Sequence, residues 1–306
     1  MNDKVGVMLM AFGGPDSPEA VEPFVTKLLG GKRVPPPVMA KIKERYRIIG
    51  GASPLSQITH SQAEALQEAL GGDIPVEVGM SYSEPTIRAA INRLLTKGVE
   101  QIIALSLSPH YSRVSTGTYE KETRQVVSSL NIPIKLIFAK GWYDYPLYLY
   151  AIAERIEQAL QSFEEDVKAE VEIIFSAHSL PLSYIEEGEP YVAQLEETVK
   201  GVAARFPDNP YCLAYQSKGR GKEKWLGPDV ETILNAFANA GKTNVLLAPV
   251  SFVADHVETL YDIDVEIKQH AEKLGINFRR ALALNNSPKF IQALKDKVQE
   301  AYRALQ

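Results

Sequence analysis

Short, uninterrupted runs of apolar residues alternate along this chain with longer segments whose apolar positions recur every three or four residues. Uninterrupted runs predict strands buried on both faces, and the three-to-four spacing predicts amphipathic helices. The predicted strands are residues 5–11, 76–81, 101–107, 134–138, 171–177, 211–216, 244–248 and 277–278. Strands that alternate with helices predict an α/β fold of two similar doubly wound, Rossmann-like domains, each a four-stranded parallel sheet flanked by helices.

The pattern restarts after the acidic segment at 164–166, so we predict domains at residues 1–150 and 151–306, with the terminal helix from Pro288 able to pack back on the first. A weak internal repeat supports this division, because AFGGP at 11–15 aligns with AHSLP at 177–181. Phe12 and His178 then occupy equivalent strand tips. Since parallel sheets bind ligands beyond the carboxyl ends of their strands, we expect these tips, His110 and the turn after Pro249 to line one interdomain cleft.

The segment after the strand at 244–248 is rich in carboxylates. If the residues after Val253 are helical, four acidic side chains share one face at spacings of three and four: Asp255, Glu258, Asp262 and Glu266. Like charges at this spacing repel by roughly 0.2–0.5 kcal/mol per pair, which favours a function as a rail of oxygen ligands for a divalent cation. The alternative is structural, because acidic residues in a first helical turn stabilise the helix dipole.

Composition narrows the possible functions. The chain has 306 residues, a net charge of −5 and 45% hydrophobic residues, which is typical of a globular protein and argues against nucleic acid as the main partner. No apolar run approaches the roughly 18 residues of a transmembrane helix, and the first residues lack the layout of a signal peptide, so we expect a cytoplasmic protein. The single cysteine, Cys212, excludes a disulfide within the chain and a four-cysteine iron–sulfur cluster.

His178 is the histidine whose position suggests chemistry, because it ends a buried strand between two serines. With an ordinary pKa of about 6.5, its neutral imidazole would dominate at pH 7 and could accept a proton or bind a borderline metal. The alternative is a hydrogen-bonded structural histidine. Among the other histidines, His256 could orient its acidic neighbours, whereas His60 and His270 are predicted to lie on the surface.

Six motifs carry a resemblance to a known family. They are LMAFGGP at 9–15, RYRIIGGASPL at 45–55, SAHSLP at 176–181, YQSK at 215–218, WLGPD at 225–229 and FVADHVETLYDIDVE at 252–266. In this order, over nearly the whole chain, they resemble the ferrochelatases, which insert Fe²⁺ into a porphyrin late in haem synthesis.

The resemblance implies roles for nine residues. His178 and Glu258 would face each other at the point of metal insertion, with Asp262 and Glu266 continuing outward as metal ligands. The substrate-binding residues would be Phe12, Arg45, Tyr46, Ser53 and Tyr119. Phe12 departs from the short bacterial members, which commonly have an iron-ligating tyrosine there; it has no ligating oxygen and can only stack on or cap the macrocycle. An arginine often found near Leu29 is also missing.

We therefore predict a ferrochelatase that favours coproporphyrin III over protoporphyrin IX. Short members without a C-terminal extension tend to use the tetracarboxylate, and Arg45, Arg113 and the loop at 218–222 offer positive charge for extra propionates. The alternatives are a cobalt or nickel tetrapyrrole chelatase and a non-catalytic carrier of tetrapyrrole or metal. Fe²⁺ would be a substrate, with no resident cofactor. The predicted partners are the porphyrin, Fe²⁺ and, transiently, neighbouring haem-pathway enzymes, and we predict a monomer.

Overall fold

The computed structural model describes residues 4–219 and 223–304, which form two α/β units. One unit ends at Trp142 and is completed by the chain from Asn285 onward, and the other is Tyr143–Leu284. The division predicted at residue 150 falls inside a helix of the second unit. The apolar face of that helix packs against a strand of the same unit. The terminal helix, which the sequence analysis placed after residue 151 but expected to be able to pack back on the first domain, is grouped with the first unit.

The first unit is built on a parallel sheet in the order β2-β1-β3-β4. Its strands are β1 (Val5–Ala11), β2 (Val76–Met80), β3 (Gln101–Ser106) and β4 (Lys135–Phe138). Its helices are α1 (Val21–Leu28), α2 (Pro36–Ile48), α3 (Leu55–Ala69), α4 (Ile87–Thr96), α5 (Thr116–Ser129) and the terminal helix (Pro288–Arg303). All seven residues of β1 are buried, as expected of a central strand covered on both faces.

The terminal helix contributes to the core of the first unit. It packs against α3 and β3, and its side chains of Phe290, Leu294 and Val298 are fully buried. Their spacing of four residues places them on one face of the helix. Burial of side chains of this size stabilises a fold by about 1.5–3 kcal/mol each, so the helix is an integral part of the unit.

The second unit repeats the plan with a sheet in the order β6-β5-β7-β8. Its strands are β5 (Glu172–His178), β6 (Tyr211–Gln216), β7 (Asn244–Pro249) and β8 (Asn277–Arg280). Its helices are α6 (Pro146–Leu160), a 3₁₀-helix (Glu165–Glu170), α7 (Leu182–Glu186), α8 (Tyr191–Ala203), α9 (Val230–Asn239), a π-helix (Glu258–Ile267) and α10 (Lys268–Lys273). The terminal helix of the first unit is therefore α11 in chain order. The two equivalent parallel sheets confirm the predicted fold class, although α7 was not predicted.

Candidate active site

The carboxyl edge of the second sheet brings the candidate residues of that unit together. Residues of β5, β6 and β7 are in register there, with His178 opposite Gln216 and Ser176 opposite Pro249. The chain leaves β7 at this edge and enters the π-helix at Glu258. Since ligands of parallel sheets bind beyond the carboxyl ends of the strands, this is where the sequence predicts chemistry.

The backbone of His178 is held at both of its polar groups. Its N–H donates to the hydroxyl of Ser251 at 3.3 Å, and its carbonyl accepts from the hydroxyl of Tyr191 at 2.9 Å. Tyr191 is buried, and burial raises the pKa of its phenol, so it remains a protonated donor. These contacts fix the direction in which the imidazole leaves the strand.

The imidazole of His178 pairs with the carboxylate of Glu258. The distance from Nδ1 to Oε2 is 2.8 Å, and the side chains are 33% and 26% exposed respectively. A carboxylate that accepts from Nδ1 fixes the tautomer and directs the lone pair of the neutral ring to Nε2. The pair is therefore both accessible to a ligand and arranged so that Nε2 can accept a proton.

The pairing shifts both pKa values. Burial opposes a charge on His178, but the Glu258 carboxylate, through its charge and its hydrogen bond, outweighs burial and raises the pKa of the histidine above 6.5. Burial likewise opposes a charge on Glu258, but His178 prevails and lowers the pKa of that carboxyl to about 2. The partner therefore stabilises the protonated ring relative to the ordinary pKa on which the prediction of a neutral imidazole at pH 7 rests, and that protonation state stays a prediction.

The acidic segment forms a π-helix of ten residues rather than an α-helix. Its hydrogen bonds run between residues five apart, a geometry that is rare beyond one turn and frequent at functional sites. Glu258, Asp262 and Glu266 still recur every four residues, from the partly buried Glu258 to the exposed Glu266. Asp255 is not part of this row, because it lies in the turn before the helix, buried, and accepts hydrogen bonds from Arg280 and Thr259.

Two residues of β6 and the loop after it support the row of carboxylates. Gln216 accepts from the hydroxyl of Ser176 at 2.9 Å and donates to the backbone carbonyl of Glu258 at 3.1 Å. Ser217, which has the positive φ of 57°, donates to Asp262 at 2.8 Å and helps to lower the pKa of Glu258. Sequence reasoning recognised the YQSK motif but assigned no role to these residues.

The other four histidines are buried or half-buried. His256 is half-buried, its Nδ1 lies 3.1 Å from the carbonyl of Ala254, and its ring contacts Phe252. His110 is buried, which lowers its pKa to about 3, so it remains neutral. His60 and His270 are half-buried rather than on the surface as predicted, because each lies on a helix that packs against other elements of its unit.

In the first unit, Phe12 belongs to a group of aromatic rings at the carboxyl end of β1. Its ring lies 4.6 Å from that of Tyr82 and 6.4 Å from that of Phe24, centre to centre. Phe12 itself is half-buried. The group provides an apolar surface suited to a flat aromatic ligand, and Tyr82, which follows β2, is a member that sequence reasoning missed.

The other predicted substrate-binding residues of the first unit differ in exposure. Arg45 is half-buried on α2, whereas Tyr46, Ser53 and Tyr119 are buried. Ser53 accepts from the N–H of Leu55 at 3.3 Å and so stabilises the start of α3. Tyr119 lies in the hydrophobic core, where burial raises the pKa of its phenol. A direct role of these four residues in binding stays a prediction.

The predicted metal ligands do not converge on one point. Within residues 4–219 and 223–304, no three side chains of His, Cys, Asp or Glu are grouped closely enough to hold a metal ion. His178 and Glu258 form one pair, while Asp262 and Glu266 follow along the π-helix.

Within residues 4–219 and 223–304, every helix is too short or too polar to cross a membrane.

Solved structures with this architecture define the fold class as that of the chelatases. SirB from Bacillus subtilis with Fe³⁺ has a TM-score of 0.62 over 97% of this chain and 95% of SirB, at 12% identity. CbiX, the terminal enzyme of sirohaem biosynthesis in denitrifying bacteria, has a TM-score of 0.54 over 97% of this chain and 99% of CbiX, at 11% identity. At such identities the likeness concerns the fold alone.

Sequence comparison is more specific. The family model for Ferrochelatase matches residues 4–302. A ferrochelatase of Geobacter sp. (strain M21) is 40% identical over 98% of this chain and 99% of its own length, and one of Aquifex aeolicus is 40% identical over 96% and 98%. The chain belongs to the ferrochelatase family. It is therefore an enzyme of haem synthesis that inserts a metal ion into a porphyrin, and the cobalt or nickel chelatase and the carrier are not favoured.

Proposed function

We propose that His178 is the base and Glu258 the inner metal ligand of this reaction. Insertion of Fe²⁺ into a free-base porphyrin forms four bonds from nitrogen to iron and releases two protons from pyrrole nitrogens. A neutral imidazole with its lone pair on Nε2 can accept one of these protons, and the carboxylate on Nδ1 stabilises the imidazolium that forms. The observation that carries the proposal is the 2.8 Å hydrogen bond between His178 and Glu258.

The row of carboxylates provides the delivery step of the proposal. Fe²⁺ must lose water before it enters the macrocycle, and oxygen ligands can replace that water one at a time. Glu266 is exposed, Asp262 is half-buried and Glu258 contacts the base, so the row leads from solvent to the reacting group. Because these side chains do not converge on a closed site, they suit transfer of a cation better than its retention.

A spectrophotometric assay tests the proposal. Purified protein is mixed anaerobically with Fe²⁺ and a porphyrin, and the loss of the free-base spectrum is followed. His178→Ala should reduce kcat by about 10²–10⁴-fold, the usual contribution of a general base. His60→Ala is the matched control, because it makes the same chemical change on α3. Retention of more than about a tenth of the wild-type rate by His178→Ala would exclude the role of a base.

We also propose coproporphyrin III as the preferred porphyrin. Arg113 is exposed and Arg45 half-buried, while Lys218 is bonded to Asp229 at 2.8 Å. The rest of the basic loop, at 220–222, lies outside the described residues. An exposed ion pair contributes about 0.2–1 kcal/mol, so two additional propionates would change kcat/KM by roughly twofold to thirtyfold. A higher kcat/KM for protoporphyrin IX, under identical detergent and salt, would overturn this preference.

Three further predictions from the sequence concern the cell: action in the cytoplasm, a monomeric state and transient contact with neighbouring enzymes. Gel filtration at micromolar concentration would measure the oligomeric state. Cell fractionation would locate the activity, and crosslinking followed by identification of the captured proteins would reveal the contacts.

A further inference from the structure

One buried cation links three elements of the second unit. Arg280 ends β8, and its side chain is 5% exposed. Its Nε and Nη2 donate to the two carboxylate oxygens of Asp264, both at 2.7 Å, and its Nη1 donates to Asp255 at 2.9 Å. A planar guanidinium is suited to such a contact, because its donors match the spacing of carboxylate oxygens.

The two carboxylates belong to different parts of the acidic segment. Asp255 lies in the turn that precedes the π-helix, and Asp264 lies in its second half. Asp255 also accepts from the hydroxyl of Thr259 at 3.1 Å, and that hydroxyl accepts from the N–H of His256 at 3.0 Å. Arg280 therefore holds the entry to the helix and its body in one arrangement.

The position of Asp264 is what connects this contact to the proposed metal route. Asp264 is two residues from Asp262 and two from Glu266, and residues two apart on a helix do not face each other. A contact on the Asp264 side limits rotation of the π-helix about its axis. Because that rotation determines the direction of the side chains of Glu258, Asp262 and Glu266, the contact also fixes their direction. A π-helix of this length has little stability of its own, so such an external contact matters more than it would for an α-helix.

Electrostatics supports the same conclusion. The segment carries five acidic residues, Asp255, Glu258, Asp262, Asp264 and Glu266. Its like charges repel at a spacing of four residues. Burial opposes the charge of Arg280, but Asp264 and Asp255 raise the pKa of its guanidinium, so it stays charged. This cation offsets the repulsion from the side opposite to the proposed route.

We propose that Arg280 is a positioning residue for metal delivery, which sets the rotation of the π-helix and hence the aim of Glu258, Asp262 and Glu266. This role rests on the proposed function of those carboxylates. Arg280 touches neither the base nor the metal route, so its effect must pass through the helix. Its loss should weaken handling of the metal more than it slows the chemical step.

Arg280→Lys is the first variant for the test, because lysine keeps the charge but cannot make the forked contact. Arg279→Lys is the matched control, since Arg279 precedes it on β8, donates to the carbonyl of Phe278 and stacks near Phe163. We expect Arg280→Lys to raise the KM for Fe²⁺ about tenfold or more, as loss of an outer-shell partner typically does, with kcat and the KM for porphyrin within about threefold. Arg279→Lys should match the wild type.

A second measurement does not depend on turnover. Isothermal titration with Co²⁺, without porphyrin, should show weaker binding by about tenfold in Arg280→Lys and unchanged binding in Arg279→Lys. Unchanged Co²⁺ affinity and unchanged KM for Fe²⁺ would overturn the proposal. The proposal would also be overturned if the activity lost in Arg280→Lys equals the fraction of the protein that is unfolded. If Arg280→Lys does not fold, Asp264→Asn removes one arm of the contact and is subject to the same two measurements.

Parallel variants separate this inference from the proposed function beneath it. If Asp262→Asn and Glu266→Gln raise the KM for Fe²⁺ while Arg280→Lys does not, only the role of Arg280 fails. If Asp262→Asn and Glu266→Gln leave that KM unchanged, the delivery route itself fails, whatever Arg280→Lys does.

Discussion

Replacing Glu258 by glutamine should reverse the direction of the pKa shift of His178. The change keeps the size of the side chain and an oxygen that can accept from Nδ1, but it removes the charge. In the wild type the pKa of the histidine is raised because Glu258 outweighs burial. Without that charge, burial is opposed only by Asp262 and by a hydrogen bond to a neutral amide oxygen, so the pKa should fall below 6.5.

The strength of the pair follows from Glu258. Its pKa of about 2 lies well below the ordinary 4.5, which corresponds to about 3 kcal/mol of preference for the charged form. The raised pKa of His178 contributes stability that is complete below pH 6.5 and is lost as the pH rises through the folded value. The lowered pKa of Glu258 contributes stability that is complete above pH 4.5 and is lost as the pH falls towards 2. The pair should therefore stabilise the fold most between pH 4.5 and 6.5.

Proton NMR of the metal-free protein measures this directly. The chain has five histidines, and His178→Ala identifies the resonance of His178. Glu266→Gln is the control, since it makes the same change at an exposed carboxylate that does not shift the pKa of His178. Urea unfolding of wild type and Glu258→Gln should differ more at pH 5.5 than at pH 9. An unchanged or higher pKa of His178 in Glu258→Gln would refute the reasoning.

Three further outcomes are expected. His178→Ala should fold and lose about 10²-fold or more in kcat, with His60→Ala as the control in the same anaerobic assay. Asp262→Asn and Glu266→Gln should raise the KM for Fe²⁺ more than they lower kcat, and an equal loss in both constants would argue against delivery along the π-helix. Tyr191→Phe should cost about 1–3 kcal/mol in urea unfolding, because it leaves the carbonyl of His178 without its donor, and a stability equal to wild type would contradict this.

The sequence was sufficient for the two sheets, because uninterrupted apolar runs and the helices between them dictate parallel strands. It was not sufficient for the form of the acidic segment. A spacing of four residues is compatible with both an α-helix and a π-helix, so the pattern of Glu258, Asp262 and Glu266 could not distinguish them. Asp255 matched the pattern by spacing alone, whereas its partner Arg280 is 25 residues away and comes close only through the pairing of β7 with β8.

The candidate site shows the same limit. The strand tip and the family motifs were enough to single out His178 and Glu258 as a pair. The groups that hold the backbone of His178 were not predictable, because Tyr191 and Ser251 reach it from α8 and from the turn after β7. The raised pKa of His178 was not predictable for a related reason, since a pKa depends on the partner that folding provides.

The position of α11 has a consequence for how the protein is made. The first unit begins the chain but receives its last helix only after the whole second unit has been synthesised. Roughly 160 residues separate Trp142 from the end of the described chain, and at 5–20 residues per second a ribosome needs about 10–30 s to add them. During that interval the surface that α11 covers is exposed on the nascent chain, so the half of the protein translated first is the half that finishes folding last.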